Sequence, residues 1–261
     1  MHSFLVLTVL FANLAANAFG QQWPKATSEE TVKATIIVTG GTKDFGFKRL
    51  TASSALGSGD QSEGQKALIR AEKGAVIKNL IIGQNGADGI HCYDGCTLQN
   101  VWWEKVGEDA ATFRSSSGCK EYSFTVTGGG VKNAKDKVFQ MNGGGTLTIK
   151  DFVAEGIGKL ARACGNCKTQ CQKRKFVLEN IKVTGLKTLL CGLNENYGDV
   201  ATIKNVQITG SKKVCAEFQG NNQQKGAANV AQFRRRIERR WQKLHHFGHH
   251  QRLIRRMIKQ C

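Results

Sequence analysis

The sequence predicts an all-β protein, a parallel β-helix in which one chain winds into a stack of coils. Three observations favour this fold. Short strand-like segments recur at intervals of 21 to 29 residues, glycine-rich turns follow them, and no helical periodicity separates them. A β-sandwich is the alternative, but the near-constant interval favours coils that pair only with their neighbours.

One four-residue pattern carries the repeat: an apolar residue, any residue, Asn or Asp, and a second apolar residue. It occurs in the segments IKNL (77–80), LQNV (98–101), IKDF (149–152), LENI (178–181) and IKNV (203–206). A weaker copy, FTV (124–126), places Thr125 in the Asn position. Each segment alternates apolar and polar residues as strands do, and the pattern does not give the handedness of the winding.

The N-terminus has the composition of a secretory signal peptide, a short apolar core followed by small residues. We expect residues 1–18 to be removed, or residues 1–20 if cleavage follows Gly20. The apolar run is too short to span a bilayer, which takes ~20 residues. The mature protein is therefore expected to be secreted and extracellular, with no membrane partner.

Nine cysteines, all after the signal peptide, fit an oxidising compartment. Eight lie between Cys92 and Cys215 and can pair among themselves, so we expect Cys261 to be the odd one. The spacing of Cys164, Cys167 and Cys171 leaves a zinc site as an alternative. A secreted chain with no histidine nearby favours disulfides instead.

Charge and composition change near residue 225. The net charge is +18, and residues 225–261 hold eleven Lys or Arg against one acid, Glu238. We therefore divide the mature chain into a β-helix domain, 21–224, and a basic tail, 225–261. Three interpretations of the tail stay open: an amphipathic cap on the last coil, a basic arm for polyanions, or an aberrant reading frame. The helical spacing comes from Phe233, Ile237, Trp241 and Leu244.

Three carboxylates fall at matching positions of adjacent coils. Asp88 lies nine residues after Asn79, and Asp109 lies nine after Asn100, with Glu108 beside it. Stacking would bring these backbones to ~5 Å from one another. Carboxylates this close repel unless they are protonated or neutralised. A hard divalent cation with oxygen ligands relieves the repulsion, and calcium suits such a cluster.

Basic residues continue the same face. Lys137 lies 12 residues after Thr125, and Lys159 and Arg162 lie 8 and 11 residues after Asp151. A cation site beside a basic groove suits an anionic polymer, because metal and guanidinium both bind carboxylates. For Lys137 taken alone, a lysine-rich solvated surface is the alternative.

Five motifs, taken in order, resemble those of the pectate lyases of polysaccharide lyase family 3: ADGIHC (87–92), NVWWE (100–104), EDA (108–110), DKVFQMN (136–142) and GKLAR (158–162). The resemblance covers roughly residues 30–220. It implies a single-stranded right-handed parallel β-helix and dependence on Ca²⁺. It also implies cleavage of polygalacturonate by β-elimination to 4,5-unsaturated oligogalacturonides, in the degradation of plant cell walls, as in fungi and plant-parasitic nematodes.

The calcium-ligand positions of that family match Asp88, Glu108 and Asp109. Glu63 matches a further acid near the metal, so it is a candidate extra ligand. Lys105 stands where the family commonly has another acid, and an outer carboxylate is therefore missing from this chain.

The catalytic basic positions of the family match Lys137, Lys159 and Arg162. We expect Arg162 to remove the C5 proton, with Lys137 as the second candidate, and Lys159, Lys137 and Arg114 to bind substrate. Arg114 stands where a lysine is common. An arginine is almost always protonated, but neighbouring cations lower the pKa of a basic group, which favours an alkaline working pH.

His91, Trp102 and Trp103 are ring-bearing residues within these motifs. We interpret His91 as packed or hydrogen-bonded rather than as a general base. Because adjacent strand residues point to opposite faces, at most one of Trp102 and Trp103 can be a platform for sugar rings.

The main alternative function is a non-catalytic pectin- or polyanion-binding protein on a lyase-like scaffold, since Lys105 and the tail depart from the family. A β-helix hydrolase is the second alternative, with paired carboxylates and no required cation. The expected partner is polygalacturonate rather than nucleic acid, and we expect a monomer.

Overall fold

Two β-sheets run along the molecule, and each coil contributes one strand to each of them. The computed structural model describes residues 21–211, 213–224, 226, 228–229 and 258–261. The predicted signal peptide lies outside these residues. The first sheet is formed by β1 (Glu29–Val32), β3 (Thr42–Ala52), β5 (Ala75–Ile82), β7 (Cys96–Trp103), β9 (Glu121–Lys132), β11 (Gly144–Glu155), β13 (Lys175–Leu186), β15 (Val200–Gly210) and β18 (Ile258–Gln260).

The second sheet carries the shorter strands. Every pairing in the two sheets is parallel except those of the last strand of each. One 3₁₀ turn, Glu195–Tyr197, is the single helical element of the described residues. This parallel β-solenoid confirms the predicted fold class. The strands of the second sheet are β2 (Ile36–Thr39), β4 (Ile69–Glu72), β6 (Ile90–Tyr93), β8 (Ala111–Arg114), β10 (Lys137–Met141), β12 (Lys159–Ala163), β14 (Leu189–Asn194), β16 (Cys215–Gln219) and β17 (Ala228–Asn229).

The repeated Asn or Asp position is a left-handed turn residue with a hydrogen-bonding side chain. Asn79, Asn100 and Asn180 have φ values of 49°, 58° and 55°, a region that asparagine adopts more readily than most residues. Asn100 Nδ2 donates to Asn79 Oδ1 at 2.9 Å, and Asn205 Nδ2 donates to Asn180 Oδ1 at 2.7 Å. This asparagine ladder bends each coil and joins it to the next.

The weak copy of the repeat predicts the wrong residue at the position of the Asn. Gln99 pairs with Thr127 and Val101 with Gly129, so Gly128 rather than Thr125 lies opposite Asn100. Gly128 has a φ of 65°, which glycine adopts without strain, and this explains why no Asn marks the position.

The ladder lacks a side chain at Gly128, and the N-terminal segment covers this gap. Gln21 Nε2 donates to the backbone carbonyl of Asp151 at 2.8 Å. Trp23 packs edge-on against Trp102 with ring centroids 4.9 Å apart, and Trp102 is only 3% exposed. Trp102 is therefore covered by the protein itself.

Aromatic side chains fill the interior between the sheets. Phe139 lies at the centre, 5.4 Å from Phe152 and 5.8 Å from Trp103 between ring centroids. Phe113 extends the stack at 6.1 Å. Each such ring buries a large apolar area on folding. Trp103 thus faces the core, so neither tryptophan of the pair is a platform for sugars.

Disulfides confirm one cysteine prediction and correct another. Cys164 pairs with Cys167, and Cys171 pairs with Cys119, so these cysteines do not form a zinc site. A third bond joins Cys92 to Cys96. Cys261 is not the odd cysteine: it pairs with Cys215.

Cys191 is the free thiol of the described residues, and it is fully buried. Burial raises its pKa to about 12, which leaves it protonated and unreactive. The number of cysteines does not identify the unpaired one, because the last residue returns to the solenoid, where β18 pairs with β15.

The end of the tail pairs with part of the last long strand of the first sheet, as Thr202 pairs with Gln260 and Lys204 with Ile258. An unpaired edge strand is a template for aggregation, and β18 covers this part of the edge. The helical pattern at 233–244 lies outside the described residues. In the described part of the chain, no helix is long and apolar enough to cross a membrane.

The asparagine ladder predicts a stability effect at Asn180. Asn180→Ala removes hydrogen bonds to both neighbours and places a Cβ-bearing residue without a polar side chain at positive φ. We expect a loss of about 2–4 kcal/mol in the free energy of unfolding. Asn180→Gly, the matched control, relieves the backbone strain and should cost less. Urea unfolding followed by circular dichroism measures both; equal losses would show that the left-handed backbone is not strained.

Candidate active site

Four charged residues line up across consecutive coils of the second sheet. Ile90 of β6 pairs with Ala111 of β8, and Ala111 pairs with Phe139 of β10. Lys137 pairs with Lys159 of β12. Asp88, Asp109 and Lys137 stand two residues before Ile90, Ala111 and Phe139, respectively. Together with Lys159, they form what we call the charged column.

The corrected repeat position explains why this column is straight. Measured from Gly128, Lys137 lies nine residues on, at the same offset as Asp88 from Asn79. Adjacent members are therefore separated by one strand spacing of ~4.8 Å. The charge along the column changes from two acids to two lysines.

The acids of the column are buried. Asp109 is 1% exposed and Asp88 is 8% exposed. One oxygen of each, Oδ1, accepts no hydrogen bond in the described structure. The backbones next to the two acids approach closely, since a Cβ at Gly89 would lie 2.3 Å from the carbonyl oxygen of Ala110.

Burial and neighbouring carboxylates raise the pKa values of Glu108 and Asp109. Burial and the hydrogen bond with Asp88 raise the pKa of Glu108 to about 7, and the charge of Glu63 contributes in the same direction. Burial also raises the pKa of Asp109 well above its usual range, with Lys137 opposing it. Buried carboxylates with unpaired oxygens favour a hard cation as a ligand.

The ammonium of Lys137 lies among the acids. Its Nζ is 3.4 Å from Glu108 Oε1 and 3.6 Å from Asp109 Oδ1. Burial acts to lower the pKa of Lys137, but these acids and Asp136 raise it above its usual range. In the described residues, no three His, Cys, Asp or Glu side chains form a ready-made metal site. The acids nevertheless offer only carboxylate oxygens, the ligand type that calcium prefers, and the ammonium of Lys137 neutralises part of their charge.

Asp136 is a site residue that sequence reasoning missed. It accepts a hydrogen bond from Lys137 Nζ at 3.2 Å and another from Lys159 Nζ. Burial acts to raise its pKa, but the two lysines lower it below the usual range. Its position directly before Lys137, in the sequence KDKVFQ, was the available signal. Asp136 holds the two lysines side by side.

Arg162 belongs to a second column, three residues further along the strands. Gln140 of β10 pairs with both Thr112 and Arg162. Arg162 is 6% exposed, and burial together with the charge of Arg174 lowers its pKa to about 10. The structure thus brings the predicted base next to the lysines rather than among the acids.

His91 lies in the same second column, because it pairs with Thr112. His91 Nε2 lies 2.9 Å from Asp88 Oδ2, in a hydrogen bond that holds this carboxylate. The interpretation of His91 as a hydrogen-bonded side chain is confirmed.

Arg114 lies at the opposite end of β8 from Asp109. It pairs with Tyr93 and lines an open pocket of about 330 Å³ with Ser116 and Asn142. Arg114 is therefore on the same sheet as the charged column but not in contact with it. Lys105 is exposed, in the turn after β7.

A sequence profile described as Pectate lyase matches residues 20–225 of this chain. "Probable pectate lyase D" of Emericella nidulans is 39% identical over 80% of this chain and 81% of its own length. "Pectate lyase E" of the same fungus is 42% identical, over 70% of this chain and 69% of its own.

Two solved structures share the fold. The catalytic domain of pectate lyase PelI from Erwinia chrysanthemi superposes with a TM-score of 0.62 at 35% identity, covering 77% of this chain and 91% of that domain. PelI in complex with tetragalacturonic acid gives a TM-score of 0.61 at 33% identity, over 77% of this chain and 64% of that one. With a profile match over most of its length and these relatives, this chain belongs to the pectate lyase family and is a polysaccharide lyase.

Proposed function

We propose that this protein is a secreted, monomeric, calcium-dependent pectate lyase that cleaves polygalacturonate by β-elimination and releases 4,5-unsaturated oligogalacturonides from plant cell walls. The observation that carries the proposal is the charged column, in which buried acids adjoin partly buried lysines on consecutive coils. The disulfides support an extracellular compartment.

The substrate class follows from this charge pattern and from the family. A relative of similar fold has been crystallised with tetragalacturonic acid. Each unit of such a polymer carries a carboxylate. Lys137 and Lys159, held by Asp136, present ammonium groups to these carboxylates, and Arg114 offers a further cation at the C-terminal end of strand β8.

Asp88, Glu108 and Asp109 would hold the calcium ion, with Glu63 as a candidate extra ligand. The buried Oδ1 atoms of Asp88 and Asp109, which accept no hydrogen bond among the described residues, and the raised pKa values of Glu108 and Asp109 support this role. A bound calcium ion would act as a Lewis acid on the substrate carboxylate and make the neighbouring C5 proton more acidic.

Arg162 is the base in this proposal. Its guanidine takes the C5 proton, the electrons of the C–H bond form the C4–C5 double bond, and the glycosidic oxygen leaves from C4. The lowered pKa of Arg162 supports the assignment, because a base must be partly deprotonated at working pH. Lys137 is the second candidate, and Lys159 binds the substrate carboxylate.

The reaction type can be tested with polygalacturonate at alkaline pH, with calcium or with a chelator. We expect ultraviolet-absorbing products with calcium and none with the chelator, because elimination creates a conjugated double bond. Mass spectrometry should show product ends one water lighter than those of hydrolysis. New reducing ends without absorbance would instead indicate a hydrolase, and binding without cleavage would indicate a pectin-binding protein.

Substitution of the two candidate bases tests the catalytic assignment. Arg162→Ala and Lys137→Ala should each lower kcat by about 10²-fold or more, since a general base contributes at least that much. Circular dichroism in the presence of calcium should show an unchanged fold. Lys182→Ala, at an exposed position of β13, is the control and should retain full activity. Near-normal turnover in both site variants would exclude them from catalysis.

The pH dependence follows from the lowered pKa of Arg162. A base that ionises near pH 10 is mostly protonated at neutral pH. The rate constant kcat should therefore rise about tenfold per pH unit from pH 7 and level off near pH 10. Initial rates at saturating calcium and substrate measure this profile. A plateau already reached at pH 8 would mean that another group removes the proton.

A further inference from the structure

Arg162 is held by residues of two coils that follow its own. Its Nη1 donates to Asn194 Oδ1 at 2.8 Å and to the backbone carbonyl of Ala163. These bonds use both hydrogens of that nitrogen. Among the described residues, Nε and Nη2 have no hydrogen-bond acceptor. One edge of the guanidinium is thus fixed, and the other is left for a ligand.

The face of the guanidinium packs on an aromatic ring. Arg162 Cζ lies 3.9 Å from the ring centroid of Phe218, in the geometry of a cation–π contact. Phe218 belongs to β16 and pairs with Asn194 of β14. The two residues that touch the guanidinium therefore hold each other in register.

Space for this arrangement depends on the residue beneath it. Gly192 pairs with Arg162, and a Cβ at Gly192 would lie 2.5 Å from Arg162 Cδ and 3.0 Å from Phe218 Cε2. Any side chain here would push the arginine and the ring apart. The glycine lets the arginine side chain lie flat across the sheet between its partners.

Asn194 cannot easily turn away from Arg162. It is fully buried, and its Nδ2 donates to the carbonyl of Cys164 at 2.8 Å. Its backbone N–H donates to Asp199 Oδ2 at 3.0 Å, and Asp199 in turn accepts from the buried Arg174. The amide oxygen of Asn194 is therefore directed at the guanidinium by a network of buried hydrogen bonds.

We infer that Asn194 and Phe218 are positioning residues that lock one edge and one face of Arg162, so that Nε and Nη2 are presented to the C5 proton of the substrate. The inference rests on the proposed function, in which Arg162 is the base. Phe218 also covers one face of the guanidinium, and burial is the largest cause of the lowered pKa of this arginine.

Phe218 is the better test position, because it is only half-buried and its replacement is compatible with folding. Phe218→Leu removes the ring, whereas Phe218→Tyr keeps it. We expect Phe218→Leu to lower kcat about tenfold or more and to change KM less than about twofold, since substrate carboxylates are bound elsewhere. The rise of kcat with pH should move to higher pH. Phe218→Tyr should stay within about threefold of the wild type.

Phe45→Leu is the matched control, because Phe45 is also half-buried and also lies near a cation, Lys43, at 5.8 Å. It should change neither kcat nor the pH profile. Phe218→Met, which fills similar volume without a ring, replaces Phe218→Leu if the latter does not fold. Thermal unfolding identifies that case.

Chemical labelling provides a readout that does not require activity. Phenylglyoxal modifies accessible arginines, and peptide mass spectrometry gives the rate at Arg162 relative to Arg114. We expect Phe218→Leu to speed labelling of Arg162 about fivefold or more and Phe218→Tyr to leave it unchanged. A wild-type protein without lyase activity would refute the proposed function, while the labelling still decides whether Arg162 is clamped. Unchanged kcat, pH profile and labelling in Phe218→Leu, or equal effects of Leu and Tyr, would overturn the inference.

Discussion

Parallel pairing between consecutive coils is the constraint on which the rest of this structure depends. Each coil contributes one residue to every column of the second sheet, so side chains far apart in sequence become neighbours at one strand spacing. The asparagine ladder maintains this register at the bend of each coil, with Gly128 and the side chain of Gln21 continuing it where an asparagine is missing. A slip of one residue would turn the column residues to the other face of the sheet and dismantle the site.

The same register places the acids side by side and also brings a lysine close enough to offset part of their charge. Burying Asp88, Glu108 and Asp109 side by side would be unfavourable unless a cation balanced them. Lys137, one coil further on, reaches back to these acids, while Asp136 binds both lysines. These four acids face two lysines, so the formal charge is only partly balanced along the column. A divalent cation at the acid end would balance the remaining charge and leave the lysines able to meet a carboxylated ligand.

Much of this site could be predicted from the sequence, and the parts that could not have physical reasons. Asp88 and Asp109 were aligned correctly because the coil between Asn79 and Asn100 is short and regular, with Lys78 paired to Gln99. In the next coil the turn residue is a glycine, which adopts a positive φ but does not match the Asn or Asp motif. The sequence pattern therefore points to Thr125 instead. The pairing of Cys261 was missed because it depends on where the tail returns, which spacing cannot indicate.

Asn194 and Phe218 had no signal in the sequence, since their role appears only where three coils pack together. From the sequence alone, Arg162 is one basic residue on a basic face. With Asn194 at one edge, Phe218 on one face and Gly192 beneath, it has a single orientation and little contact with water. A solenoid can therefore separate the tasks of a site by coil: earlier coils supply acids, middle coils supply lysines, and later coils shape the environment of the arginine. Because Asn194 and Phe218 lie on coils that do not pair with the coils of the acids, the later coils can change the properties of Arg162 without disturbing those acids.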